Sequence, residues 1–432
     1  MFFALTCFSQ NKYVVQNKKG IDKVDFQLIN NIIIIPVEVN GVSLSFLLDT
    51  GVSRPIVFNF IKDSDSLEIL NAKKIYLKGL GNNGLVEALT SSNNQFKIGD
   101  AINNNQDFFV VFDSSINFAP KLGIPIHGII GYDFFKDLIV DINYKNQYLK
   151  IKNPGVYREK VCRKCEVFDL EFINDKPYFN IEVKVNKENI PVKLLIDSGS
   201  SDSLWLFEND SLGLNTSDKY FEDFLGFGLS GSVHGKRSKI DGVKLKSFQL
   251  NKPKVAFPDS LTVEKLKKIN GRNGSAGGEI LKRFNITFDY RNAKVILKKN
   301  SNYNDTFSYN KSGIELEHDG VRLVTESYSD FMPVDNSGSN TIVVKAVYVA
   351  KEKLVIKPAY SISQIRKNSP AEKAGLKVGD VVIAINNKDS KHYSLQELIE
   401  HFFDDEGRRI KLKVERDGRF IEVVFILESL LK

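Results

Sequence analysis

Cysteine, histidine, methionine and tryptophan are scarce in this 432-residue chain, at three, five, two and one. Three cysteines cannot staple a chain of this length, so its stability has to come from a hydrophobic core. Two of them, Cys162 and Cys165, form a Cys-x-x-Cys pair. A structural zinc site needs four ligands, and with histidine so sparse no resident metal is expected. A thioredoxin-type redox site needs a βαβ setting that this stretch lacks, which leaves a local disulfide or two incidental thiols. No apolar run approaches the roughly 18 residues of a membrane-spanning helix. Nor is charge concentrated: 60 basic and 53 acidic side chains leave a net +7, scattered in pairs such as Lys73-Lys74 and Lys298-Lys299. That distribution reads as a solvated surface, and no nucleic-acid partner is expected. The 42% apolar and 26% charged content is that of a globular protein with two or three domains.

What the chain does have is a triplet that occurs twice after an apolar strand. Ser45-Phe46-Leu47-Leu48 runs into Asp49-Thr50-Gly51, and Val192-Lys193-Leu194-Leu195-Ile196 runs into Asp197-Ser198-Gly199. A carboxylate directly after a buried run is costly unless it is hydrogen-bonded or used in chemistry. One such triplet could be an ordinary turn, in which Asp and Ser bond their own backbone. The surroundings repeat as well, which makes the two Asp a candidate pair.

Ahead of the first triplet, Ile32 to Val39 turns at Asn40-Gly41 into Val42 to Leu48; ahead of the second, Tyr178 to Val185 turns into Ile190 to Ile196. Asn-Gly between β-rich runs is a strong hairpin signal. Further on, Gly79, Gly81 and Gly84 match Gly226, Gly228 and Gly231, Gly-rich tips of two candidate flap hairpins, Tyr76 to Ala88 and Phe224 to Lys236. Gly128-Ile129-Ile130-Gly131 matches Gly274-Ser275-Ala276-Gly277, and Leu138 to Tyr144 matches Phe284 to Tyr290. Four ordered matches at nearly constant displacement indicate an internal duplication, with lobes expected over 21–155 and 161–300.

These residues resemble the pepsin and retropepsin superfamily of aspartic proteases, in which each lobe carries such an Asp-Thr/Ser-Gly turn and a later apolar-apolar-Gly segment. Leu47-Leu48-Asp49-Thr50-Gly51 with Ile129-Ile130-Gly131 fits the first lobe. Leu195-Ile196-Asp197-Ser198-Gly199-Ser200-Ser201, followed by Trp205, fits the second. The resemblance implies a mainly β fold of two homologous acid-protease β-barrel lobes and an aspartic endopeptidase acting on polypeptides without cofactor or metal. Asp49 and Asp197 would be its water-activating dyad. It also implies that Thr50 and Ser198 bond across to the opposite loop and that Gly51 and Gly199 bring N–H groups to the carboxylates. Val52 stands where the family usually has Ala or Ser, and Ser275-Ala276 is less apolar than the usual segment. A duplicated single chain needs no second copy, so a monomer is expected. The rival reading is a catalytically idle peptide receptor that keeps the cleft.

After a polar stretch from Lys298, 301–352 reads as linker with short strands at Ser312 to Val321 and Thr341 to Val349. Over 353–430 the run Ser369-Pro370-Ala371, Ala374-Gly375-Leu376 and Gly379-Asp380 resembles a PDZ domain, a small α+β module. Ser394-Leu395-Gln396-Glu397 has capping-box form, and Asp417-Gly418 reads as a hairpin turn. PDZ domains bind peptides by strand addition, and the resemblance puts that groove at Tyr360, Ser361, Ile362 and Ser363. Ile356-Lys357-Pro358-Ala359 replaces the usual Gly-rich carboxylate loop, so an internal segment or docking on the lobes is as reasonable a ligand as a C-terminus. Met1 to Gln10 has the form of the end of a secretory signal, with a cut expected near Ser9-Gln10 and export, periplasmic or secreted. A lipid anchor on Cys7 is the alternative, which Leu5 and Thr6 fit poorly.

Overall fold

The structure is a computed structural model that describes residues 11–431, apart from 59–66, 68, 78–84, 113–116, 160, 229–230, 261, 264–270 and 335–344. The chain is mainly β and divides into two compact units. One holds residues up to Phe118, Ile124–Tyr309 and the last four residues; the other holds Ala119–Gly123 and Asn310–Glu428.

In the first unit the duplication is visible strand by strand. Val42–Leu48, which ends beside Asp49, pairs antiparallel with Ile32–Val39 and parallel with Gly128–Ile130. Glu188–Asp197 pairs antiparallel with Lys176–Val185 and parallel with Arg272–Gly277. The third strand of each set then meets a short antiparallel partner, Ile56–Val57 or Leu204–Leu206. Each short partner lies parallel to a longer strand, Ala101–Val111 or Lys254–Pro258. The apolar runs that flank both Asp are buried on both faces, as a central strand requires.

A six-stranded sheet joins the two copies. At its centre Ile139–Asn143 pairs antiparallel with Phe284–Asp289, so equivalent strands of the two copies face each other. Their apolar side chains belong to one continuous core that runs from Tyr13 to Phe307. The copies therefore bury surface against each other as halves of one body, and the two Asp-bearing loops are held at the join.

Cys162 and Cys165, left open by the sequence, are joined as a disulfide ahead of the strand Cys165–Asp169.

The second unit has its own core, from Ile314 to Leu427. Its sheet runs in the order Ile314–Val334, Lys345–Ile365, Val381–Ile385, Arg409–Arg416, Arg419–Ile426. The stretch 301–352 is therefore not simply linker. Phe307 lies in the first unit's core, and the residues from Ile314 supply the outer strand of the second unit. That strand is far longer than the short one expected at Ser312 to Val321. The expected capping box forms at Ser394 with Glu397, and Asp417 and Gly418 turn the last hairpin at φ 50° and 72°.

Candidate active site

Each Asp leaves the end of a central strand on a loop with very little room. At Gly131 a Cβ would lie 2.1 Å from the Asp49 carbonyl oxygen, so no side chain fits behind this loop. Ser275 and Ala276, the less apolar segment, are both buried and sit in register with Leu195 and Ile196, as Ile129 and Ile130 do with Leu47 and Leu48. The sequence departure is accommodated without loss of pairing.

The hydroxyl residues after each Asp exchange bonds between loops. The Thr50 N–H donates to Ser198 Oγ and the Ser198 N–H to Thr50 Oγ1, both at 3.0 Å. Thr50 Oγ1 donates to the Ile196 carbonyl at 2.6 Å, and Ser198 Oγ to the Leu48 carbonyl at 2.7 Å. Both side chains are fully buried, so all four polar groups are satisfied only because the loops meet. The hairpin turns repeat the exchange: Ser53 Oγ donates to the Asn174 carbonyl, and Asn31 Nδ2 to the Ser201 carbonyl.

This frame brings the carboxylates together. The Gly51 N–H donates to Asp49 Oδ1 at 2.7 Å. A Cβ at Gly51 would lie 3.0 Å from Asp49 Oδ1 and 3.6 Å from Asp197 Oδ1, so both oxygens sit within 3.6 Å of one point. A Cβ at Gly199 would fall 2.2 Å from Asp49 Cγ, so the first carboxyl packs directly on the second loop's glycine. Both Asp are half-buried, each with an open side.

Burial, followed by the charge of Asp197, pushes the Asp49 carboxyl up to about 7. Burial also raises Asp197, but Arg272 and then Lys176 oppose the rise, with N–H groups of Gly199 and Ser200 assisting. Two adjacent carboxyls titrate as a pair; Lys176 opposes the rise at both, whereas Arg272 acts on Asp197.

Lys176 and Arg272 were not singled out from the sequence. Tyr178 pairs with Leu195, so counting two residues outward in each strand sets Lys176 opposite Asp197. That count needs the register, which the Asn186-Lys187 turn, at φ 50° and 69°, helps to fix. Arg272 opens the strand beside Asp197's own and lies over the rings of Phe207 and Tyr178, 5.4 and 5.9 Å from their centroids.

Of the candidate flaps, the second is a hairpin of Phe221–Gly228 with Gly231–Lys239. Gly226 and Gly231 take φ of 153° and 111°, which glycine tolerates, and Gly228 pairs with Gly231. Its base is fixed by Arg237, which binds Asp223 at 2.8 Å and, from the Asp197 loop, Asp202 at 2.7 Å. Asp202 also accepts from Trp205 Nε1 at 2.6 Å. Leu225 packs with Trp205 in a small buried cluster. In the first hairpin, Lys73–Leu77 pairs with Val86–Ile98; Gly79, Gly81 and Gly84 lie outside the described residues.

The groove expected at Tyr360, Ser361, Ile362 and Ser363 needs correction. This segment is paired on one side with Leu316 and Glu317, and on the other through Ser361 with Val381. The Ile362 N–H donates to the Asp380 carbonyl, and the Ile362 carbonyl accepts from Gly379. A strand bonded along both edges cannot take up another. The outer strand is instead Ile314–Val334, beside which the helix Leu395–Glu400 and the short helix Ala119–Leu122 pack.

Comparisons with known proteins agree with the motifs. Residues 35–134 match the family model of aspartyl proteases, and residues 361–416 match that of PDZ domains. The resemblance drawn from the Asp-Thr-Gly and Ser-Pro-Ala segments is thereby borne out, as is the mainly β fold class. Among solved structures, the crystal structure of the aspartic proteinase from Irpex lacteus aligns with 66% of this chain and 99% of that one, at 12% identity and a TM-score of 0.40. Curated relatives overlap over short stretches. A probable periplasmic serine endoprotease DegP-like of Chlamydia muridarum is 44% identical over 63 residues, 14% of this chain and 12% of its own. A putative zinc metalloprotease of Pasteurella multocida is 42% identical over 67 residues, 16% of this chain and 14% of its own. A probable CtpA-like serine protease of Staphylococcus saprophyticus is 30% identical over 101 residues, 23% of this chain and 21% of its own. The chain spans no more than about a fifth of these relatives, and so short an overlap carries no activity across. Among the described residues, no helix is long and apolar enough to cross a membrane and no group of side chains could hold a metal ion.

Proposed function

We propose that this chain is an aspartic endopeptidase in which Asp49 and Asp197 activate one water against a peptide bond. The observation that carries the reading is the pairing of two carboxyl oxygens within 3.6 Å of a common point. Like charges so close do not both ionise, so one proton is shared. Both carboxyls are raised; in this reading Asp49 holds the proton and Asp197, the one on which Arg272 acts, carries the charge.

Asp197 takes a proton from the water as the water oxygen bonds to the scissile carbonyl carbon. Asp49 gives its proton to the carbonyl oxygen. When the tetrahedral intermediate collapses, the C–N bond breaks and the amine nitrogen leaves with a proton from Asp197, while Asp49 recovers its own. General acid–base assistance of this kind supplies about 10²- to 10⁴-fold; the locked loops supply positioning. Both copies of the motif come from one chain, which supports a monomeric unit.

The PDZ module binds peptide through its outer strand, and because Ala119–Leu122 packs beside that strand a ligand at Ile314 to His318 has to displace that segment. Export fits the form of Met1 to Gln10, and a secreted or periplasmic setting fits the Cys162–Cys165 disulfide.

Incubation with a denatured protein substrate from acidic to neutral pH, with and without a pepstatin-type inhibitor, tests the reading. Cleavage that the inhibitor abolishes and a chelator does not supports it. Absence of cleavage under all conditions leaves the receptor reading in its place.

A further inference from the structure

The duplication is broken at two places that face the paired carboxyls. In the first copy Ile34 pairs with Leu47, which sets Ile32 opposite Asp49. In the second copy the equivalent position, opposite Asp197, is Lys176. Two residues ahead of Gly128 the first copy has the buried Ile126; two ahead of Gly274 the second has Arg272. Two isoleucines in one half thus correspond to two cations in the other.

Both cations are half-buried, and among the described residues neither makes an ion pair. Arg272 donates through Nε to the Gly274 carbonyl at 3.2 Å, and its guanidinium interacts with the Tyr178 hydroxyl. The rings of Tyr178 and Phe207 lie beside its guanidinium, with centroids 5.9 and 5.4 Å from Cζ. Arg272 lies close enough to lower the affinity of Lys176 for its proton. Like charges set side by side in a partly desolvated place are unfavourable unless an anion comes between them. A carboxyl pair that shares a proton offers one negative charge against two positive ones.

We infer that Lys176 and Arg272 form an anion-binding subsite on the second copy's side of the cleft, which selects peptides carrying an acidic side chain near the scissile bond. This rests on the cleft being a peptide site, as proposed above. Arg272 supplies the planar two-pronged contact that suits a carboxylate, and Lys176 supplies a point charge beside it. In the first copy the corresponding positions are Ile32 and the buried Ile126, which supply no cation.

The test is a set of acetylated, amidated, fluorophore-tagged octapeptides with a single Glu moved through each position, each paired with its Gln counterpart. Binding is measured by anisotropy on the full chain, and cleavage in parallel. At one position the Glu peptide should bind about tenfold or more tightly than the Gln peptide, and the ratio should fall with salt. In Arg272→Met and Lys176→Met the Glu/Gln ratio should drop toward one, while Arg272→Lys keeps part of it. If Arg272→Met does not fold, as judged by circular dichroism, Lys176→Met and Arg272→Lys carry the comparison. Equal binding of Glu and Gln peptides at every position, or an unchanged ratio in the folded variants, overturns the inference. Glu-selective binding without any cleavage would instead sink the endopeptidase reading and leave this subsite standing.

Discussion

Thr50 and Ser198 each donate a backbone N–H to the other's hydroxyl at 3.0 Å, across the join between the two copies. Neither bond can be made within one copy alone. The exchange binds the loops to each other, and with them the carboxyls that each loop carries.

Thr50→Val keeps the volume and removes the hydroxyl, leaving the Ser198 N–H and the Ile196 carbonyl buried without partners. The expected loss is about 1–3 kcal/mol of stability, read from urea denaturation, together with a fall in peptidase kcat. Thr50→Ser should restore most of both, because the bonds need only the oxygen.

Gly199→Ala tests how closely the first carboxyl packs on the second loop. A methyl there would meet Asp49 Cγ at 2.2 Å, so the carboxyl has to move. A displacement on the order of 1 Å is expected to reduce kcat by roughly a hundredfold. Retention of full activity would mean that Asp49 is not held where the chemistry is done.

The pH dependence of stability has a definite sign. Asp49 goes from an ordinary 3.8 to about 7 on folding. Between those values the folded chain holds a proton that the unfolded chain has released. Its contribution to stability is therefore complete below 3.8 and lost as pH rises through about 7. The urea midpoint of the native protein should fall over that window more than that of Asp49→Asn, which cannot ionise. A native midpoint that rises across the window, relative to the variant, would contradict the assignment.

Arg237 joins the second hairpin to the Asp197 loop through Asp223 and Asp202, with the Arg237 and Asp202 side chains only 14% and 15% exposed. Arg237→Met leaves both carboxylates largely buried without their cation. The expected destabilisation is about 3–5 kcal/mol, seen in thermal or urea unfolding. Asp202 keeps its bond from Trp205, so the loss should be smaller in an Arg237→Met, Asp223→Asn double variant than the single losses added together.

The paired site was legible because a duplication prints itself twice. Asp49 and Asp197, Thr50 and Ser198, and the Gly-x-x-Gly segments are short, local and repeated, and strand alternation around them gave the hairpins. What depends on register was not legible. Lys176 reads as one lysine among many until Tyr178 is known to pair with Leu195. Arg272 reads as a loop residue until its strand is placed beside Asp197's. In the C-terminal module Tyr360 to Ser363 has the composition of a groove strand, but edge or centre is a property of sheet order, which no local pattern encodes. The run from Ile314 supplied the edge; it was legible as a strand at Ser312 to Val321, but not as the outer strand of the sheet.

The most direct measurement compares Asp49→Asn and Asp197→Asn with the native chain on one denatured protein substrate, with folding of each verified by circular dichroism. The account predicts that each variant folds and that each loses cleavage by a factor of at least about a hundred. Normal cleavage by either folded variant would contradict it.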